Sequence, residues 1–303
     1  MVPLVNEGLA VSVVRGQVQP VGIRKHFVLA LGGFDPSCGA GVQADLRTFE
    51  AMGVAGVTVL TAVTVQSGGP VLRVEPVATD LVAEQFDELA GSLELTVVKC
   101  GQLPLPETVE LLASRLERLC LPLVLDPVFE AGQGGELATG AAREAVVERL
   151  FPLSTVLTVN APEAAAFTGS KVDDLDQAER AAEVLLASGP RAVVVKGGHL
   201  AGDPVDILAT ATGVVRLPNG PRRGAALHGT GCAFASALAA ALALGLATED
   251  APLEDAPLED AVLEDAVRQA QAHVRSLFDG AVELAGGVSI RRPPSTTPGS
   301  KTG

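Results

Sequence analysis

The stretch His228-Gly229-Thr230-Gly231-Cys232, followed by AFASALAAALALGL from Ala233 to Leu246, decides the fold of this chain. The run after the motif is dense in alanine and leucine and contains no proline, so it predicts a buried helix. The two glycines allow a tight turn ahead of this helix and a close approach of a ligand to the backbone. Free N–H groups and the positive end of the helix dipole meet in the first turn, which therefore predicts an anion site.

Cys232 falls in that first turn, where the positive end of a helix lowers the pKa of a thiol. We therefore expect an accessible thiolate beside a bound anion, an arrangement typical of phosphoryl-transfer sites. A tight turn with a capping threonine and a small buried cysteine would use the same residue types. The motif does not separate these two interpretations by itself, and the rest of the chain has to decide between them.

Composition excludes several classes of partner. A chain of 303 residues, 48% of them apolar, can bury a large core in one big domain or two small ones. Aromatic residues make up only 3%, with no tryptophan or tyrosine, so the usual stacking platform for single-stranded nucleic acid is missing. The net charge of −14 argues against nucleic acid and anionic membranes as partners.

The cysteines and the first residues bear on location. The four cysteines are scattered without a CxxC spacing and do not suggest a disulfide framework. A reducing cytoplasm is therefore the expected location. The start of the chain lacks the basic region of a signal peptide, and no apolar run is long enough to span a membrane.

Strand-like and helix-like segments alternate from Phe27 onward, beginning with the buried strand FVLALGG, a glycine-rich loop and the helical run VQADLRTFEAMG. The apolar strands predict a central, mainly parallel sheet that helices cover on both faces, an α/β fold of three layers. We expect this domain to span residues 26–280. An N-terminal extension at 1–25 precedes it, and the composition of the C-terminal tail at 281–303 predicts disorder.

One acidic segment departs from this alternation. APLEDAPLEDAVLED, residues 251–265, is a five-residue repeat in which Pro252 and Pro257 break helices and the leucines share no helical face. We therefore expect an acidic, solvated loop over 249–265, ahead of a helix that ends near Phe278. An acidic docking loop is the alternative.

Polar residues stand at the carboxyl ends of four predicted parallel strands: Gln66, Asp126, Asn160 and Lys196. Each has an ordinary explanation alone, as a strand cap, a turn residue, a helix cap together with Glu163, or a solvated strand end. In an open α/β sheet, however, these strand ends line the ligand crevice. Their equivalent positions in the predicted sheet therefore favour one shared site.

The chain resembles the hydroxymethylpyrimidine/phosphomethylpyrimidine kinases of thiamine biosynthesis, which belong to the ribokinase-like superfamily. The resemblance runs from about residue 27 to about residue 280. The segments that carry it are GGFDPSCGAGVQADLRTFEAMGV (32–54), the strand ending at Gln66, LDPV (125–128), VNAPEAAAF (159–167), VVVKGGH (193–199) and HGTGC (228–232). Many sugar kinases of the superfamily have an aspartate in place of Cys232, so the cysteine favours the pyrimidine and pyridoxal branch.

The resemblance implies a ribokinase-like fold and ATP- and Mg²⁺-dependent phosphorylation of 4-amino-5-hydroxymethyl-2-methylpyrimidine, followed by phosphorylation of the monophosphate. By similarity, Cys232 is the proton acceptor near the alcohol, and Lys196 lies against the nucleotide phosphates. The backbone of Gly229, Thr230, Gly231 and Cys232 holds the phosphoryl group that is transferred. The superfamily also implies a homodimer.

The same resemblance assigns metal and substrate contacts. Asp126 and Glu163 would hold Mg²⁺ through water, since this ion keeps much of its hydration shell. Asp45 and Gln66, with Gly33, would face the aminopyrimidine, and a glutamine amide supplies the donor and the acceptor that its ring needs.

Several positions depart from the family pattern, and two rivals stay open. Phe34 replaces a threonine, Cys38 breaks a glycine pair, and Gln102 replaces a methionine. FEAGQGGEL (129–137) lacks a usual lysine, and an arginine pair at 222–223 stands where threonine and asparagine are typical.

The altered pocket positions favour a pyridoxine/pyridoxal kinase as one alternative function. The other is a non-catalytic paralogue that binds a pyrimidine phosphate.

Overall fold

The computed structural model describes residues 11–14, 17–20, 27–223, 227–246, 259–279, 281–283 and 289–291. Two short strands near the N-terminus, β1 (Val11–Val14) and β2 (Gln17–Pro20), pair antiparallel with each other. They lie within the predicted extension, and their sheet is separate from the main one.

The main domain alternates strands and helices as the apolar pattern predicts. Its strands are β3 (Phe27–Phe34), β4 (Ala55–Val65), β5 (Arg73–Pro76), β6 (Leu95–Cys100), β7 (Leu123–Leu125), β8 (Val156–Asn160), β9 (Ala192–Lys196), β10 (Val205–Thr210) and β11 (Gly213–Pro218). Its helices are α1 (Gly41–Met52), α2 (Thr79–Ser92), α3 (Pro106–Leu119), α4 (Gly140–Ala145), α5 (Ala161–Thr168), α6 (Leu175–Leu186), α7 (Thr230–Leu246) and α8 (Asp260–Phe278). A π-helical turn (Val146–Leu150) continues α4, and a 3-10 turn (Gly197–His199) follows β9.

These strands form one sheet in the order β11-β10-β9-β8-β7-β6-β3-β4-β5. The six strands from β9 to β4 in this order pair parallel, whereas β5, β10 and β11 join through antiparallel pairing. The chain leaves β3 toward β4 on one side and later returns to β6 on the other side. This reversal opens a crevice at the carboxyl ends of the strands, the usual ligand position in such sheets.

Apolar side chains cover both faces of the sheet, which makes the predicted three layers. On one face the core includes Phe86 of α2, Leu112 of α3 and Leu185 of α6. On the other face it includes Phe49 of α1 and nearly the whole of α7. The burial of α7 confirms the helix predicted behind the glycine motif, and it fixes the first turn of α7 against the sheet.

The acidic loop was predicted too long. The structure begins α8 at Asp260, so the last six residues of the predicted loop are helical, while residues 249–258 lie outside the described residues. Pro257 is the last helix breaker of the repeat, and beyond it Leu263, Ala266 and Ala270 recur at helical spacing on a buried face. The predicted end of this helix, near Phe278, is confirmed.

Two further segments differ from expectation. The sequence pattern did not predict β5, a four-residue edge strand with half of its residues exposed. Within the tail predicted to be disordered, β12 (Ala281–Glu283) and β13 (Ser289–Arg291) pair antiparallel, and the other tail residues lie outside the described ones. Unlike the short apolar strand β7, these strands contain no continuous apolar run, so their sequence carries too little pattern to be recognised. None of the described helices has both the length and the apolarity to cross a membrane.

Candidate active site

The polar residues predicted from the strand ends meet in one cavity of about 480 Å³ at the carboxyl ends of the parallel strands. This volume is within the usual range for small-molecule sites. The cavity is lined by every site residue that the sequence predicts, namely Gly33, Asp45, Gln66, Asp126, Glu163, Lys196, Gly229, Thr230, Gly231 and Cys232.

Asp35 organises the loop between β3 and α1 at the edge of this cavity. Its carboxylate accepts hydrogen bonds from the N–H groups of Ser37 and Ala40, both at 2.8 Å, and it lies 3.0 Å from His228 Nε2. Burial would raise the pKa of this carboxyl, but the bonds from His228, Ser37 and Ala40 hold it below the ordinary value. Asp35 therefore connects the first glycine-rich loop to the loop ahead of α7.

The turn before α7 depends on the absence of a side chain at Gly229. Its φ is +80°, and a Cβ there would lie 1.9 Å from the carbonyl oxygen of Gly39. The 17-residue helix α7 begins at Thr230, so the N–H groups of Thr230, Gly231 and Cys232 precede the first intrahelical bond and face the cavity end of the helix. This geometry fits the predicted anion site.

Cys232 is half-buried, and its thiol is not activated as the helix dipole alone would suggest. Burial raises the pKa of the Cys232 thiol to about 11, and although Lys99 acts to lower it, Asp126 and Asp45 add to the rise. The N–H of Gly41 donates a hydrogen bond to the sulfur. The expected lowering of this pKa is therefore wrong, because burial and two carboxylates from other parts of the chain raise it.

A buried ion pair between Lys99 and Asp45 lies in the cavity wall near Cys232. Lys99 Nζ donates to both carboxylate oxygens of Asp45, at 3.1 and 3.0 Å, and Ser236 Oγ donates to the same carboxylate at 2.6 Å. The side chains of Lys99 and Asp45 are 1% and 0% exposed. Burial alone would lower the pKa of Lys99, but the combined attraction of Asp45, Cys232 and Asp126 holds it above its ordinary value. Any influence of Asp45 on a ligand therefore acts through Lys99 and Ser236 in this arrangement.

The second buried ion pair joins β9 to the end of β7. Lys196 Nζ donates to Asp126 Oδ1 at 2.7 Å, and Thr158 Oγ1 donates to the same oxygen at 2.8 Å. Burial alone would raise the pKa of Asp126, but Lys196 and Lys99 hold it below the ordinary value. The site that a Cβ of Gly231 would occupy lies 3.6 Å from Lys196 Nζ, so this ammonium lies beside the anion site.

Glu163 caps α5 as the helix-cap interpretation predicts. Asn160 Oδ1 accepts from the N–H of Glu163 at 2.8 Å, and Glu163 Oε2 accepts from the N–H of Asn160 at 2.7 Å. Burial raises the pKa of Glu163, and Lys196 only partly offsets this rise. The described part of the chain holds no cluster of three or more histidine, cysteine, aspartate or glutamate side chains that could bind a metal alone. A metal here would need phosphate or water ligands as well.

The side-chain amides of Gln66 and Gln102 lie at one end of the cavity. Gln66 Nε2 donates to Thr64 Oγ1 at 2.9 Å, which orients the amide at the end of β4. Gln102 Nε2 donates to the carbonyl oxygen of Leu137 at 3.1 Å. Gly33 lies directly below the Gln102 amide, since a Cβ on Gly33 would lie 2.0 Å from Oε1.

The opposite end of the cavity is lined by Val274 and Phe278 of α8 and by Asn219. Asn219 Oδ1 is buried and accepts no hydrogen bond within the described residues. Arg222 does not reach across the cavity, because its guanidinium donates to the carbonyl oxygens of Gly198, Gly202 and Leu200.

The sequence interpretation missed Asp35, Lys99 and Asn219. A lysine inside the apolar run LTVVKC signals a buried partner, and an aspartate two residues before a serine signals a turn that its carboxylate closes. Asn219 follows β11 without a recognisable pattern.

Comparisons with known proteins agree with this geometry. The family described as Phosphomethylpyrimidine kinase matches residues 35–289. The hydroxymethylpyrimidine/phosphomethylpyrimidine kinase of Rhizobium meliloti is 41% identical over 221 residues, which cover 72% of this chain and 83% of that protein. The corresponding kinase of Streptomyces coelicolor is 42% identical over 220 residues, which cover 72% and 81%.

Solved structures give the same fold. A phosphomethylpyrimidine kinase from Clostridium difficile superposes with a TM-score of 0.69 and 32% identity, covering 83% of this chain and 99% of that one. The ADP complex of Bacillus subtilis pyridoxal kinase superposes with a TM-score of 0.75 and 28% identity, covering 88% and 96%.

Proposed function

Because the chain belongs to the hydroxymethylpyrimidine/phosphomethylpyrimidine kinase family, its activity is the ATP-dependent phosphorylation of the thiamine pyrimidine and its monophosphate, and we propose that the cavity described above performs it. The observation that carries the assignment of the site is the common position of three features. These are the first turn of α7 at Thr230, the Lys196–Asp126 pair, and the amides of Gln66 and Gln102 at the end of the cavity where the substrate ring would bind, the ring end.

The anion site at α7 would stabilise the phosphoryl group during transfer. The N–H groups of Thr230, Gly231 and Cys232 are held in place before any ligand arrives, and preorganised donors are the main source of such stabilisation. Lys196 lies beside them and adds a positive charge for the phosphates. The residues therefore position and neutralise the transferring group, which is most of what phosphoryl transfer requires.

The residues present fit ATP and Mg²⁺. The orphaned acceptor Asn219 Oδ1, near Val274 and Phe278, matches the exocyclic amine of an adenine whose ring packs on apolar side chains. Mg²⁺ is usually held by one or two carboxylates together with water and phosphate oxygens, so Asp126 and Glu163 suffice as its protein contacts. Bound there, the ion would neutralise charge that develops on the phosphoryl oxygens.

Cys232 is the proposed proton acceptor for the substrate alcohol. With a pKa of about 11, the thiol is almost entirely neutral at pH 8, and about one molecule in a thousand carries the thiolate. Lys99 acts on the thiol in the direction that favours the thiolate. This assignment therefore predicts a rate that rises with pH as the thiolate fraction grows.

We propose that the chain works as a cytoplasmic homodimer. Val63 and Val65 at the end of β4, together with Leu72 before β5, are 43%, 51% and 79% exposed, which leaves apolar side chains near one edge of the sheet. A second copy of the chain would cover them. Light scattering coupled to gel filtration would give twice the chain mass of 30.8 kDa. A measured mass equal to that of one chain would contradict the proposal.

Pyridoxal is the second candidate substrate, favoured by the superposition on Staphylococcus aureus pyridoxal kinase in complex with pyridoxal, with a TM-score of 0.74. A coupled assay for ADP release with hydroxymethylpyrimidine, its phosphate and pyridoxal side by side separates the candidates. We expect the two pyrimidines to have a higher kcat/KM than pyridoxal. A clear preference for pyridoxal would replace the proposed substrate, and no turnover with any of the three would leave a binding protein.

A further inference from the structure

Gln102 holds a hydrogen-bond acceptor in a fixed position in the cavity wall. Its Nε2 donates to the carbonyl oxygen of Leu137 at 3.1 Å, and Thr61 Oγ1 donates to its backbone oxygen at 2.6 Å. The residue is only 8% exposed. Because turning the amide over would place its oxygen against the Leu137 carbonyl, Oε1 is held as the atom available to a ligand.

Gly33 makes room for this oxygen. A Cβ on Gly33 would lie 2.0 Å from Gln102 Oε1 and 3.1 Å from Cδ, so the amide lies directly on the backbone at the end of β3. Both residues line the cavity. Within the described residues Gln102 Oε1 accepts no hydrogen bond. A nearly buried acceptor without a donor is costly to leave unpaired when a ligand excludes water.

The chemistry of the proposed substrate identifies the missing donor. An aminopyrimidine alcohol carries two donor groups, and its hydroxymethyl group has to face the anion site at α7. The ring amine is then the remaining donor, and it has two N–H bonds to give. We propose that Gln102 Oε1 accepts one of them and thereby selects rings that carry an amine. This inference rests on the proposed function.

The amine also matches both glutamine amides at this end of the cavity, because it has two N–H groups and each amide has one acceptor oxygen. Gln66 Nε2 donates one of its two N–H groups to Thr64, which orients the amide, and Gln66 Oε1 is then an acceptor for the second N–H of the amine. An aldehyde or another group that only accepts would bring an oxygen against the fixed oxygen of Gln102. The site therefore discriminates by donor chemistry, and such discrimination exceeds what the size of an apolar pocket can supply.

The test is a double-mutant cycle on the hydrogen bond between Gln102 Oε1 and the amine. The protein loses the acceptor in one step, and the ligand loses the donor in the other. Calorimetry measures the Kd of 4-amino-5-hydroxymethyl-2-methylpyrimidine and of its analogue without the amine, for the parent, Gln102→Met and Gly33→Ala. Methionine keeps the length of the side chain and removes the acceptor. Gly33→Ala leaves the amide intact but displaces Oε1. Gln269→Met, on the exposed face of α8, is the matched control.

We expect Gln102→Met and Gly33→Ala to weaken binding of the amino ligand by roughly 5- to 50-fold and that of the analogue by less than about twofold. Gln269→Met should change neither Kd. Equal losses for both ligands in both folded variants, or no loss, would overturn the inference while leaving the kinase function intact. Binding without phosphorylation in the parent would instead remove the proposed function, and the Kd cycle would still decide the role of Gln102. A parent that does not bind the amino ligand contradicts both.

Discussion

His228 Nε2 lies 3.0 Å from Asp35 Oδ2 across 193 residues of sequence, and this contact joins the loop after β3 to the turn that opens α7. Both loops line the cavity, and the second carries the proposed anion site. This contact therefore ties the loop between β3 and α1 to the turn ahead of α7.

Asp35→Asn should destabilise the fold at neutral pH. The folded pKa of Asp35 is depressed, so its contribution to stability is present above the unfolded value of about 4 and is lost as the pH falls through the folded pKa. The difference in unfolding free energy between parent and variant, measured by urea denaturation, should therefore be largest near pH 7 and shrink below about pH 4. A difference that stays constant over this range would contradict the account.

Gly229→Ala should be among the most damaging single substitutions. The new Cβ would meet the Gly39 carbonyl at 1.9 Å in addition to the strain of a φ of +80°. Gly53→Ala is the matched control, because Gly53 has a φ of +88° but a Cβ there meets nothing within 4 Å among the described residues. We expect Gly53→Ala to lose about 1–2 kcal/mol of stability with normal kcat. Gly229→Ala should lose more stability and most activity, and equal effects in the two variants would contradict the predicted clash.

Lys99→Met should destabilise the protein by about 3–5 kcal/mol, because it leaves the Asp45 carboxylate buried without its cation. The double variant Lys99→Met/Asp45→Leu should recover much of this loss. Arg115→Met is the comparison nearer the surface, where Asp87 is 55% exposed and water screens the pair, so its removal should change stability by less than about 1 kcal/mol. Urea denaturation measures all three, and similar losses for Lys99→Met and Arg115→Met would disprove the structural role of the buried pair.

Gln66→Leu should alter the choice of substrate. It removes an oriented amide from the ring end, and the unpaired polar edge of the pyrimidine should cost roughly 1–3 kcal/mol in kcat/KM relative to pyridoxal. The KM of ATP should change little. If the ratio of kcat/KM for the two substrates stays at the parental value, the ring binds elsewhere.

The sequence predicted the place of the site better than its electrostatics. Gln66, Asp126, Asn160 and Lys196 meet as predicted, because parallel strands bring their carboxyl ends to one edge of the sheet. The pKa of Cys232 was predicted in the wrong direction. The helix start is visible in the sequence, but the nearby Asp45 and Asp126 come from distant parts of the chain.

Long-range contacts account for most of the rest. Nothing near His228 in sequence points to Asp35, and only the fold places Gln102 over Gly33. Lys99 was within reach of sequence reasoning, because a charge in a buried strand requires a partner. The start of α8 at Asp260 was missed because the charged repeat concealed the helical period that follows Pro257.

The most direct test of the account is the kcat of hydroxymethylpyrimidine phosphorylation for the parent, Cys232→Ala and Cys232→Asp between pH 7 and 9, with the pyrimidine Kd measured beside it. The parent rate should rise about tenfold per pH unit, as expected for a base whose pKa is about 11. Cys232→Ala should lose about 10²- to 10⁴-fold in kcat with an unchanged Kd, because the backbone of the anion site remains. Cys232→Asp should retain more activity with a flat pH profile, since its carboxylate is already ionised. Near-parental turnover of Cys232→Ala would contradict the account and reduce the cysteine to a packing residue.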